Sequence, residues 1–218
     1  GSLGAIGMDV VRISDDALAL ACGADVVAAE FAGAGWSVER VSSWGMHWLE
    51  PLVEINGIGW GPVLPGRVAE IAEGKADDLC IGPVAAHPFI LSQQRLTFGR
   101  AGKTRPLNLK DYAATGGWQG LTRARAMDPL AVVAEVAASG LRGRGGAGFP
   151  AGIKWQTVAS APGATKYIVC NADEGDSGTF ADRMLMEGDP YQLLEGMAIA
   201  AHAVGAERGY ISVRSESP

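Results

Sequence analysis

Gly-Leu-Arg-Gly-Arg-Gly-Gly-Ala-Gly-Phe-Pro-Ala-Gly-Ile-Lys-Trp, residues 140–155, is the stretch on which the reading of the fold turns. Six glycines fall between Gly140 and Gly152, interleaved with Arg142 and Arg144, and Lys154 follows closely. Glycine reaches φ > 0 and lets backbone N–H groups come close to a ligand, while Arg and Lys add positive charge. Such a loop suits a phosphate-bearing, planar cofactor. Gly143, Gly145 and Gly148 satisfy G-x-G-x-x-G, but the dinucleotide fingerprint requires a strand before the glycines. Here a helix precedes them. Asp128 is its N-cap, Pro129 opens it, Leu130, Val133, Ala134 and Ala137 share a face, and Gly140 ends it. The ordinary Rossmann reading therefore fails on context. A flexible linker is the alternative, and it has little use for two arginines, Phe149, Pro150 and Trp155.

The 218 residues, 48% hydrophobic and 19% charged, accommodate one large or two small domains. With 18 basic against 24 acidic side chains the net charge is −6, which argues against a nucleic-acid or anionic-membrane surface. The basic residues around Arg144 are a local exception. Cys22, Cys80 and Cys170 lie far apart with no C-x-x-C pair, so small buried thiols in a reducing compartment are expected. His47, His87 and His202 are equally scattered, and no metal site is expected. No run of 18 apolar residues and no charged-then-apolar leader occurs, so the expectation is a cytoplasmic protein without direct membrane insertion. Gly1-Ser2 resembles a cleavage remnant ahead of Met8, and residues 1–7 are set aside.

Working outward, the N-terminal part reads as strand (Val10 to Ile13), helix (from Asp15 or Asp16 to about Phe31), a break at Gly33 to Gly35, and strand (Trp36 to Val41). That is a βαβ unit with a parallel pair. Leu52 to Ile55 and Ile58 to Trp60, split by Asn56-Gly57, read as a type I′ hairpin, and a helix is expected around Pro65 to Glu73. A βαβ unit, a hairpin and a helix make the order of a thioredoxin-like domain, assigned to residues 8–92. Ser43-Trp-Gly-Met-His-Trp-Leu-Glu-Pro51 resembles the Cys-Leu-Gly-Ala-Cys-x-x-Ala-Pro segment of thioredoxin-like [2Fe-2S] ferredoxins, with Ser43 and His47 at the cysteine positions. Cys22 is out of register for the other two ligands. A [2Fe-2S] centre takes four ligands, usually thiolates, so a degenerate domain without a cluster is expected.

Residues 93–125, polar and basic with Arg95, Arg100, Lys103, Arg105 and Lys110, read as a connector. Residues 126–218 then form a second α/β domain. Lys166 to Cys170 is a strand, Asp189-Pro190 caps a helix with Leu193, Leu194, Met197, Ala198, Ala201 and Val204 on one face, and Gly209 to Arg214 is another strand. Between the first strand and that helix runs an acidic loop, Asn171 to Arg183, with Asp173, Glu174, Asp176 and Asp182. Its spacing does not match an EF-hand. Gly175-Asp-Ser-Gly178 matches the tetrapeptide around the trypsin-like nucleophile, but the following Gly-Pro and the upstream His and Asp motifs are absent. The third reading pairs the two loops. Carboxylate and amide acceptors bind ribityl hydroxyls and ring N–H groups, while glycine backbone with Arg144 or Lys154 meets electron-rich oxygens. That combination fits a flavin.

Leu-Arg-Gly-Arg-Gly-Gly-Ala-Gly-Phe-Pro-x-Gly-x-Lys-Trp, followed by Val-Cys-Asn-Ala-Asp-Glu and Gly-Thr-Phe-x-Asp-Arg, resembles the family of FMN- and NADH-binding subunits of NADH:ubiquinone oxidoreductase, over about Arg95 to Pro218. The degenerate first domain and Glu174-Gly-Asp-Ser-Gly178 look closest to the β (diaphorase) subunit of NAD-dependent molybdenum formate dehydrogenase. The resemblance implies FMN and NAD(H) as cofactors. It places Gly143, Arg144, Gly145, Gly146, Gly148 and Lys154 on the flavin, Asn171, Asp173 and Glu174 on its ring and ribityl chain, and Phe149 by the adenine. Glu174 would also border the nicotinamide as the catalytic residue. Asp176 stands where many relatives have Glu, a shorter reach for its nucleotide contact. The implied partners are a thioredoxin-like [2Fe-2S] subunit and a larger iron-sulfur catalytic subunit, and a [4Fe-4S] cluster belongs to a segment beyond Pro218. The competing expectations are a flavin-free assembly module of such a complex, or the flavin subunit of a respiratory NADH dehydrogenase or an NAD-reducing hydrogenase.

Overall fold

A computed structural model describes residues 10–163, 165–176 and 178–215. The set-aside residues 1–7 and Ser177 of the acidic loop lie outside the described residues. The chain divides into two compact units, residues 1–108 with 184–189, and residues 109–183 with 190–218.

In the first unit β1 (Val10–Ser14) is followed by α1 (Ala17–Ala21), α2 (Ala24–Gly33) and β2 (Ser37–Val41). Where the sequence pattern suggests one helix there are two. Asp16 caps the first through the Ala19 N–H, and Gly23 at φ +100 breaks the chain before the second. Then come β3 (Val53–Ile55), β4 (Ile58–Trp60), α3 (Val68–Ala72), β5 (Cys80–Pro83) and α4 (Pro88–Leu91). Asn56 and Gly57 both have positive φ, as a type I′ turn requires. The sheet order is β2-β1-β3-β4-β5, with β1 and β2 parallel and the remaining pairs antiparallel. Val11, Ile13, Val27, Phe31 and Val53 are fully buried between sheet and helices. A second cluster, Val41, Trp44, Met46, Leu49, Leu52 and Val84, packs the segment between β2 and β3.

The expectation of buried thiols is not met. Cys22 caps the end of α1 and is exposed, Cys80 lies exposed on the edge strand β5, and Cys170 is half-buried; all three are free. Burial, and secondarily the charge of Asp182, raises the pKa of Cys170.

The second unit contains α5 (Leu109–Ala114), α6 (Gln119–Arg125), α7 (Pro129–Ala138), α8 (Ala151–Ser160) and β6 (Tyr167–Ala172). The helix α9 (Ala181–Gly188) begins in this unit, and its residues from Met184 onward group with the first. α10 (Pro190–Val204) and β7 (Arg208–Val213) complete the second unit. No local signal in the sequence marks α5, α6, α8 or α9. α7 starts and ends as its signals predict, with the Asp128 carboxylate accepting from the Leu130 N–H and Gly140 at φ +71. β6 and β7 pair in parallel, Tyr167 beside Arg208 through Ala172 beside Val213. α10 packs on α6, α7, α8 and β6, with Ala124, Val132, Val133 and Ala203 in the core.

Candidate functional site

Both motif loops belong to the second unit. The glycine loop joins α7 to α8 and is closed by a short antiparallel stem. Arg142 bridges Pro150, the Gly143 N–H donates to the Phe149 carbonyl at 2.9 Å, and the Ala151 N–H donates to the Leu141 carbonyl at 2.8 Å. The Arg142 guanidinium donates to the Gly148 carbonyl at 3.0 Å, so this arginine ties the loop together from within. Gly146 and Gly148 have φ of +98 and +59, conformations that side chains disfavour. A Cβ added at Gly145, Gly146 or Gly148 would meet no atom within 4 Å among the described residues, so local packing does not demand glycine there. An open cradle of this kind is what a close ligand requires.

Gly152 is constrained differently. A Cβ there would fall 2.4 Å from the Cα of Ala137, so α7 and α8 touch backbone to backbone at this point. Gly152→Ala is expected to cost about 2 kcal/mol, by overpacking, in urea unfolding. A loss below about 0.5 kcal/mol would show that the helices can separate freely. Two residues further along α8, Lys154 places its Nζ 5.7 Å from the centre of the exposed Phe149 ring. The structure thus puts Lys154 on a helix beside the loop. Neither Arg144 nor Lys154 has a carboxylate partner among the described residues.

The acidic loop leaves the carboxyl end of β6, and much of its charge is engaged locally. Glu174, half-buried, accepts from the Asp182 and Arg183 N–H groups, each at 3.2 Å, and so caps α9 from seven residues upstream. Each oxygen keeps a second lone pair for a ligand. Asn171 accepts from the Asp173 N–H at 3.0 Å through its Oδ1, so its NH2 group is the donor it can offer a ligand, and Asp176 accepts from the Gly178 N–H at 3.0 Å. Burial, and then the charge of Glu174, raises the pKa of Asp182. Arg214 is a contact the sequence reading missed. It follows β7, donates to the Gly175 carbonyl at 3.1 Å, and lies 3.9 Å from Asp173. The parallel register, with Ala172 beside Val213, delivers it there. Among the described residues no three His, Cys, Asp or Glu side chains cluster as a metal site, and no helix is long and apolar enough to cross a membrane.

A glycine cradle with two cations uncompensated among the described residues, and a loop of hydrogen-bond acceptors at the carboxyl end of a parallel strand, define a unit suited to an anionic nucleotide or flavin cofactor. The class has a family counterpart. Residues 136–218 match the family model described as the Nuo51 FMN-binding domain. The chain is 52% identical over 109 residues to the F 2 subunit of NADH-quinone oxidoreductase from Rhizobium meliloti (strain 1021), covering 50% of this chain and 26% of that one. It is 48% identical over 126 residues to the HndC subunit of the NADP-reducing hydrogenase from Solidesulfovibrio fructosivorans, covering 58% and 26%. The resemblance carried by the two motifs is thereby borne out. The chain spans about a quarter of the length of these curated relatives. Among solved structures, an NAD+-reducing [NiFe]-hydrogenase in the air-oxidised state aligns with 99% of this chain and 39% of its own, at 25% identity and a TM-score of 0.46.

Proposed function

We propose that residues 126–218 are the first part of an FMN- and NADH-binding α/β domain, and that the chain serves a diaphorase subunit passing electrons between NAD(H), FMN and iron-sulfur clusters. The observation that carries this reading is the coincidence of both loops with the FMN-domain match, residues 136–218. The residues fit the cofactor: open glycines, two uncompensated cations and a set of amide and carboxylate acceptors. FMN, when bound, supplies the chemistry, taking two electrons from the nicotinamide and releasing them singly.

In this reading Gly143, Gly145, Gly146 and Gly148 let the backbone approach the flavin, while Arg144 and Lys154 balance its negative charge. Asn171 and Asp173 hydrogen-bond the ring and ribityl chain, with Asp173 oriented by Arg214. Glu174 caps α9 and presents its free lone pairs beside the nicotinamide, and Phe149 stacks near the adenine. Asp176 reaches less far than a glutamate would. The first unit, residues 8–92 in this assignment, is a thioredoxin-like domain without [2Fe-2S] ligands, a reading supported by the strand order β2-β1-β3-β4. The parent complex is an NAD-dependent formate dehydrogenase in the cytoplasm, with a [2Fe-2S] subunit and a larger iron-sulfur subunit as partners.

FMN titration by fluorescence quenching tests the reading. Saturable binding is expected, weakened about tenfold or more by Lys154→Ala and several-fold by Glu174→Gln, since loss of one charge-assisted contact is worth about 1.5–3 kcal/mol. Absence of binding at millimolar FMN would leave the chain an assembly module.

A further inference from the structure

We propose that the first unit carries a second small-molecule site, a cleft for an organic anion with a planar, apolar body. The cleft has a volume of about 570 Å³ and lies wholly within that unit, lined by Trp44, Val84, Ile90, Phe98 and Gly99 and by Ala101 to Lys103 among others. A space of this size suits a small organic ligand and is far larger than an inorganic anion needs. Trp44, 6% exposed, and the half-buried Phe98 are among the lining residues and give the cleft aromatic, apolar surface.

Charge decides the ligand's sign. Four charged side chains line the cleft: Arg12, Glu54, Arg95 and Lys103. Arg12 pairs with Glu54 at 3.1 Å and with Glu39, which does not line the cleft, at 3.2 Å, so this group adds no positive charge. Arg95 and Lys103 have no carboxylate partner among the described residues. The Arg95 Nε donates to Gln93 at 2.8 Å and its guanidinium sits 6.0 Å from the centre of the Phe89 ring, while the Lys103 Nζ donates to the Gly99 carbonyl at 2.9 Å. Burial lowers the pKa of Arg95, with no anion to offset it. Two uncompensated cations thus face one cleft in a chain of net charge −6. The planar guanidinium can grip a carboxylate or a phosphate through two parallel hydrogen bonds, and Lys103 adds a point charge. These residues lie outside the two flavin motifs, so the site stands apart from the proposed FMN function.

Isothermal titration of the whole chain with 2-naphthoate and, separately, with AMP distinguishes a carboxylate ligand from a phosphate one. Saturable binding of at least one is expected, with a Kd below about 1 mM, weakened about tenfold or more by Arg95→Gln and about threefold by Lys103→Gln. Arg95→Lys should fall between, because it keeps the charge and loses the fork. Circular dichroism of the variants checks that the fold persists. No binding of either probe up to about 10 mM, equal binding of neutral 2-naphthol, or indifference to both substitutions overturns the proposal.

Discussion

Glu195→Ala is expected to destabilise the second unit by about 3–5 kcal/mol, because it leaves three buried or part-buried donors without their acceptor at about 1–3 kcal/mol each. Glu195 sits on α10 and is only 7% exposed. One carboxylate oxygen accepts from the Tyr112 hydroxyl and from the Trp118 N–H at 2.8 Å, and the other accepts from the Leu121 N–H at 2.8 Å. Those two amides are at the start of α6, where no residue of the helix itself supplies a side-chain cap. Trp118, at φ +66, is in a conformation that a bulky residue adopts only when its surroundings enforce it. The carboxylate therefore caps α6, holds the turn from α5 and fastens both to α10. Alanine withdraws the acceptor from two helix-start amides and the buried hydroxyl together. Glu195→Gln should recover part of the loss, since its single carbonyl oxygen can serve one side of the site while its NH2 faces a donor on the other. The ranking is read by urea unfolding, and hydrogen exchange over residues 109–125 should rise first. An alanine variant within about 1 kcal/mol of the parent would sink the argument.

The same residue explains why part of this fold was illegible in the sequence. α7 announces itself because its signals are local: Asp128 caps, Pro129 opens and Gly140 ends it. The hairpin does likewise through Asn56-Gly57. α6 is capped by Glu195, more than seventy residues away, and α9 by Glu174 across the acidic loop. α8 begins after Pro150 with no side-chain cap, and Gly152, which reads as a breaker, serves close packing on Ala137. Strand β5 contains Gly82-Pro83 at the sheet edge, where proline is tolerated and a loop is the natural reading. The candidate site was more legible than the helices that carry it, because glycines, cations and acceptors declare their chemistry without reference to distant partners. Arg214 is the exception: only strand register brings it to the acidic loop.

A second large effect is expected from pH. Glu50, 5% exposed, accepts hydrogen bonds from the hydroxyls of Ser14 at 2.9 Å and Ser43 at 3.0 Å and from the Leu52 N–H at 2.9 Å. Burial raises its pKa from 4.5 to about 7; the Leu52 N–H opposes the rise, the charge of Asp16 adds to it, and the two hydroxyls oppose it further. The unfolded chain releases this proton as pH passes its ordinary value, whereas the folded chain holds it until about pH 7. Between those limits the folded state binds more protons, so stability is highest on the acid side and falls as pH rises through the window, then levels off. At about 1.4 kcal/mol per pH unit, the whole loss between 4.5 and about 7 comes to roughly 3.5 kcal/mol. Glu50→Gln should remove this dependence without breaking the network. Its carbonyl oxygen can take the Leu52 N–H, and its NH2 can donate to the two hydroxyls, which rotate to accept. Urea unfolding of both proteins from pH 5 to pH 8, followed by tryptophan fluorescence, isolates the contribution. The parent should lose about 2.5 kcal/mol relative to the glutamine variant across that range, and parallel profiles would show that Glu50 ionises in the folded chain as it does in water.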